Sequence, residues 1–128
     1  MTGESGTEPV RRRGSAILAA VGAALVLASC GGADEPPACE NPQTATTVTM
    51  GDFFYEPTCV ETPGGAQLEV VNDGDAPHTF TVDGSDETVE VDVPADERAT
   101  LVVPPLVAST YRVICTYHPQ MEAALRIT

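Results

Sequence analysis

Near the C-terminus, Cys115-Thr116-Tyr117-His118-Pro119-Gln120-Met121 sets a thiol, an imidazole and a thioether at Cys-x2-His-x2-Met spacing. The other histidine, His78, ends the segment Asn72-Asp73-Gly74-Asp75-Ala76-Pro77-His78, just past a strand and a turn. Two imidazoles, one thiolate and a weak thioether are the donor types that suit a single copper ion of the blue, type 1 kind. Cu(I) favours soft sulfur and low coordination, whereas Cu(II) favours nitrogen and a more tetragonal arrangement. A rigid site of intermediate shape rearranges little when one electron arrives or leaves. Each residue taken singly has a plainer reading: His78 as a turn histidine, Met121 as core filler, Cys115 as a small buried hydrophobe. Cys-x2-His alone would also suit zinc or nothing. The combination carries the argument, because these are the chain's whole supply of histidine and its one unassigned thiol.

That last point follows from the four cysteines of the chain. Cys30 ends the run Leu27-Ala28-Ser29-Cys30, and Cys39 and Cys59 are natural disulfide partners in an oxidising compartment. Cys115 is left over, and a lone thiol in an exported protein oxidises unless something engages it. A metal is one such partner.

Export is read from the N-terminus. Arg11, Arg12 and Arg13 precede an apolar stretch from Ala16 to Ala28. This is shorter than the roughly 18–20 residues that cross a hydrocarbon core, so it reads as the apolar part of a signal peptide. Its junction with Cys30 resembles the lipobox of bacterial lipoproteins, in which the Cys is acylated and becomes the first mature residue. An ordinary signal peptide with an incidental Cys30 is the alternative, and the triple arginine matches a twin-arginine signal poorly. The expected organisation is therefore a signal peptide over 1–29, a flexible tether over 30–45 rich in Gly, Ala, Asp, Glu, Pro and Thr, and a folded domain over 46–128.

Without residues 1–29 the chain keeps 17 acidic residues against Arg98, Arg112 and Arg126, a formal charge of −14, and it has no lysine. Such a body repels nucleic acid and anionic headgroups, which excludes a nucleic-acid role. The acidity serves solubility, and it also suits docking to basic partners; charge alone does not separate the two.

The elements that must position the metal-binding side chains read as short strands. Thr46–Met50, Gln67–Asn72, Thr79–Val82, Val89–Val93, Arg98–Val103, Thr110–Cys115 and Ala123–Ile127 carry alternating or β-branched patterns. Pro63-Gly64-Gly65, Asn72-Asp73-Gly74, Asp83-Gly84 and Pro104-Pro105 punctuate them. No helical period emerges after the tether. Short strands with dense turns predict an all-β, antiparallel β-sandwich.

From about Val48 to Thr128 the chain resembles the cupredoxin family, within it the plastocyanin and amicyanin type. The resemblance rests on Phe53-Phe54-Tyr55-Glu56-Pro57, Pro63-Gly64-Gly65, Val70-Val71-Asn72 and Pro77-His78 in that order. It also rests on Thr110-Tyr111-Arg112-Val113-Ile114-Cys115, with Ser109 where the family has Gly, and on the short Cys-x2-His-Pro-x-Met loop. The resemblance implies a Greek-key sandwich of about eight strands. It implies one copper ion with His78, Cys115 and His118 as equatorial ligands and Met121 as the axial one. It further implies one-electron transfer between larger redox proteins, with His118 nearest the surface and flanked by Pro119 and Pro77. Two residues depart from the pattern. Thr79 stands where many members have an Asn that ties the two ligand loops, and Tyr117 where close relatives often have Pro.

The expectation is thus a monomeric, non-enzymatic electron carrier, lipid-anchored through Cys30 at the outer face of the membrane, with unidentified redox proteins as partners. A copper-delivery lipoprotein would use the same ligands, and a metal-free sandwich for protein–protein interaction would need none of them. Catalysis is disfavoured because four filled positions leave none for substrate.

Overall fold

The computed structural model of the 128-residue chain describes residue 3 and residues 35–128. The expected signal peptide and Cys30 lie outside the described residues. Among the described residues ten strands account for the regular structure, and no helix is long and apolar enough to cross a membrane.

In chain order they are β1 (Gln43–Thr44), β2 (Thr47–Gly51), β3 (Phe54–Glu56), β4 (Cys59–Thr62), β5 (Gln67–Asn72), β6 (His78–Asp83), β7 (Val89–Val93), β8 (Arg98–Val102), β9 (Thr110–Ile114) and β10 (Glu122–Ile127). One sheet runs β1-β4-β10-β9-β6-β7 and the other β3-β2-β5-β8. Strand alternation builds the layer between them. Val48 and Met50 of β2, Leu68 and Val70 of β5, Phe80 and Val82 of β6, and Leu125 and Ile127 of β10 are all buried in one cluster. Most of their outward neighbours are polar or half-buried, the pattern of a sheet with one face wet, although Ala124 of β10 is buried as well.

The all-β sandwich is as expected, but its sheets are mixed. β1 with β4, β4 with β10 and β2 with β5 pair in parallel. Parallel pairing arises because the chain repeatedly leaves one sheet for the other before returning, so neighbouring strands need not be hairpin partners. The strand count exceeds the expected eight because β1 and β3 are two and three residues long, too short to show a period. β1 also lies inside the stretch read as tether. Cys39 is bonded to Cys59 at the start of β4, with Cα atoms 5.5 Å apart, so the chain is fastened to the sheet ahead of β1.

What matters for the site is the pairing of β6 with β9. The antiparallel register Thr81↔Ile114, Val82↔Val113, Asp83↔Arg112 puts the first residues of β6 beside the last of β9. One end of the six-stranded sheet therefore receives His78 from β6 and Cys115 from just beyond β9. Arg112 braces this pairing from the flank, donating to Asp83 of β6 at 3.1 Å and to Glu122 of β10 at 2.6 Å.

Candidate metal centre

Three donor atoms converge at that end of the sandwich. His78 Nδ1 lies 3.2 Å from His118 Nδ1, and Cys115 Sγ lies 3.9 Å from the first and 3.6 Å from the second. One ion with bonds of about 2.0 Å to each nitrogen and about 2.3 Å to sulfur would reach all three donors. Two imidazoles and a thiol in this arrangement suit one copper ion. Cys115 is the free cysteine among the described residues and is buried.

The loop from Cys115 to Met121 is closed by its own backbone. The His118 amide donates to the Cys115 carbonyl at 3.2 Å, the Met121 amide to the His118 carbonyl at 2.9 Å, and the Cys115 amide to the Met121 carbonyl at 3.3 Å. Met121 is fully buried at the end of this loop. His118 is half-buried, and His78 is 0 % exposed.

The loop carrying His78 is held by Asn72, whose side chain makes three hydrogen bonds. Its Nδ2 donates to the Ala76 carbonyl at 2.8 Å and the Val93 carbonyl at 2.9 Å, and its Oδ1 accepts from the Gly74 amide at 2.9 Å. A buried amide with all three bonds made fixes a turn that apolar packing could not specify.

Thr79 does tie the two ligand loops. Its Oγ1 accepts from the Thr116 amide at 2.9 Å and stands 2.9 Å from Thr81 Oγ1. Thr81 donates to the Glu90 carboxylate at 2.8 Å, so its single proton is committed and Thr79 must donate to Thr81. The Thr79 amide meanwhile donates to Cys115 Sγ at 3.4 Å.

Tyr117 reaches away from the loop to β7, where its hydroxyl donates to Asp92. That hydrogen bond to a carboxylate raises the phenol above its ordinary pKa. The phenol therefore fastens the loop to an edge strand, and its ring stands 6.4 Å from that of His118.

Three residues that support the site, Tyr55, Asp52 and Phe53, carry no signal of that role in the sequence. Tyr55 is buried beneath the site and donates to the Thr79 carbonyl at 2.6 Å, its own pKa pushed well up by burial. Asp52 and Phe53, in the turn between β2 and β3, touch the two histidines. Asp52 Oδ1 lies 3.3 Å from His78 Nε2, and the Phe53 ring meets the His118 ring edge-on at 4.9 Å. Phe53 holds φ at 74°, a left-handed conformation that costs a side-chain-bearing residue about 1–2 kcal/mol. The Asp75 amide bond, foremost, holds the Asp52 carboxyl below its ordinary range. Since Asp52 precedes His78 by 26 positions on a different sheet, no local motif signals the contact.

A family model described as a cupredoxin-like domain matches residues 17–126. No curated protein sequence matches the chain. Among solved structures, amicyanin from Paracoccus versutus is 21 % identical, with TM-score 0.54, over 76 % of this chain and 93 % of that one. A purple cupredoxin from Nitrosopumilus maritimus is 18 % identical, with TM-score 0.54, over 66 % of this chain and 100 % of that one. A copper-containing nitrite reductase from Thermus scotoductus SA-01 is 23 % identical, with TM-score 0.55, over 73 % of this chain. This chain spans only 25 % of that enzyme's length. At these identities the likeness is one of fold alone. On the family match over most of its length, the chain belongs to the cupredoxin-like family.

Proposed function

We propose that the protein is a type 1 copper protein that carries one electron at a time, anchored through Cys30 at the outer face of a bacterial membrane. The convergence of His78 Nδ1, His118 Nδ1 and Cys115 Sγ carries this reading. Met121, buried at the end of the same loop, would supply a thioether as a further donor. Copper, when bound, supplies the redox chemistry by passing between its two oxidation states.

The chain's own residues keep the donors fixed. Asn72 holds the His78 loop, the Thr79 hydroxyl ties it to Thr116, and the Thr79 amide withdraws charge from the Cys115 sulfur. Donors held this firmly need little movement between oxidation states, which favours electron transfer over a site that must open to release its ion.

His118 supplies the route. It is the more exposed of the two histidines, and Phe53, Tyr117 and Pro119, all exposed, surround it or adjoin it. A small apolar surface of this kind suits brief docking of a redox partner. Four such donors on one ion would leave no position for substrate, which suits a carrier without catalytic turnover.

The test is the visible and EPR spectrum of the protein after addition of Cu(II). An intense thiolate-to-copper band with a narrow hyperfine splitting is expected, and Cys115→Ser is expected to abolish it. Copper that binds without the band and exchanges readily with a chelator would make the protein a copper-delivery factor instead. No binding at all would leave a fold without this function.

A further inference from the structure

The turn between β2 and β3 belongs to the four-stranded sheet, whereas His78, Cys115 and His118 come from the other. Yet Asp52 in that turn reaches the far nitrogen of the fully buried His78 at 3.3 Å. An ionised carboxylate only accepts, so His78 must carry its proton on Nε2 and donate it to Asp52. In the neutral ring Nδ1 then keeps its lone pair, on the side facing His118 Nδ1 and Cys115 Sγ.

The same carboxylate grips the loop that delivers His78. Its Oδ1 accepts from the Asp75 amide at 3.1 Å and the Ala76 amide at 3.3 Å, and its Oδ2 lies 3.3 Å from the Asp75 amide. Close approach is allowed by Gly74, where an added Cβ would sit 2.4 Å from Oδ1 and 3.0 Å from the Asp52 backbone nitrogen. The left-handed backbone at Phe53, the next residue, turns the chain so that one dipeptide faces both histidines.

We infer that Asp52 is the positioning residue of the metal centre: it selects the His78 tautomer that can bind a metal through Nδ1, and its charge, passed through the imidazole, favours Cu(II) over Cu(I). The inference rests on His78 being a copper ligand, as proposed above. A carboxylate on the second nitrogen makes the imidazole a stronger donor, and loss of such a partner typically costs 10–100-fold in metal affinity.

Asp52→Ala and Asp52→Asn separate the two roles. Asn keeps an oxygen that can accept from His78 and the loop amides but removes the charge; Ala removes both. Two readouts are needed: the imidazole nitrogen chemical shifts of His78 in the metal-free protein, and the Cu(II)/Cu(I) potential with Cu(II) affinity in the loaded one. The wild type is expected to show a single Nε2–H tautomer, retained in Asp52→Asn and mixed in Asp52→Ala. Both variants are expected to raise the potential, by about 59 mV for each tenfold loss of Cu(II) over Cu(I) affinity. Asp73→Asn removes the same charge from an exposed position on the neighbouring loop and is expected to shift neither readout. A blue wild type whose variants keep both potential and tautomer overturns the inference. A colourless wild type whose His78 tautomer still depends on Asp52 overturns the copper reading while upholding the positioning role.

Discussion

Thr79→Val tests whether the hydroxyl of Thr79, and not merely the bulk of its side chain, joins the two ligand loops. The substitution keeps the branched shape at a position 1 % exposed and removes one oxygen. That oxygen serves the Thr116 amide and the Thr81 hydroxyl, both at 2.9 Å. A buried polar group left without a partner costs about 1–3 kcal/mol. Thr116 is exposed, so water recovers part of the loss, and the net is expected at about 1–2 kcal/mol. For a folded body of this size that lowers Tm by roughly 5–15 °C. Thermal melting of the metal-free protein by circular dichroism reads it directly. Thr79→Ser, which keeps the hydroxyl, is expected to retain most of the stability, and copper release from Thr79→Val is expected to be faster than from wild type. A Thr79→Val protein as stable as wild type, releasing copper at the same rate, would refute the argument that this hydroxyl ties the loops.

Met121→Gln is expected to keep copper but lower the potential, since an amide oxygen supports Cu(II) better than a thioether does; an unchanged spectrum and potential would remove Met121 from the ligand set. Replacing Cys39 and Cys59 together by Ala opens a loop of sequence separation 20, worth about 3 kcal/mol in chain entropy, and is expected to lower the melting temperature without altering colour. Copper held at a free concentration of about 100 times its Kd is expected to stabilise the fold by about 2.7 kcal/mol, and Cys115→Ser to abolish most of that gain in a melting assay.

The sequence was most legible where a single period spoke for a strand. Val89–Val93, with its Val-Glu-Val-Asp-Val alternation, matches β7 residue for residue, and Gln67–Asn72 matches β5. It was least legible at β1, β3 and β4, whose two to four residues cannot display a repeat. The parallel pairings were equally hidden, because which strands become neighbours depends on when the chain changes sheets. At the site, His78, Cys115 and His118 were legible by chemical type, being soft donors with no other employment. Asp52 and Tyr55 were not: a carboxylate and a phenol have many ordinary uses, and only the packing of one sheet on the other brings them against His78 and Thr79.

The ligand loop's three internal backbone bonds separate inheritance of the fold from variation in its metal chemistry. Cys115 to Met121 closes on itself and leaves from β9 and returns to β10, two strands paired over five residues from Glu122↔Ile114 to Arg126↔Thr110. Exchanges of the exposed Thr116, Tyr117, Pro119 and Gln120 side chains, which lie outside the core cluster, therefore alter the polarity around the donors while the core layer keeps its packing. A lineage built on this scaffold is free to explore redox properties through one short hairpin connection, with little risk that each trial also unfolds the protein.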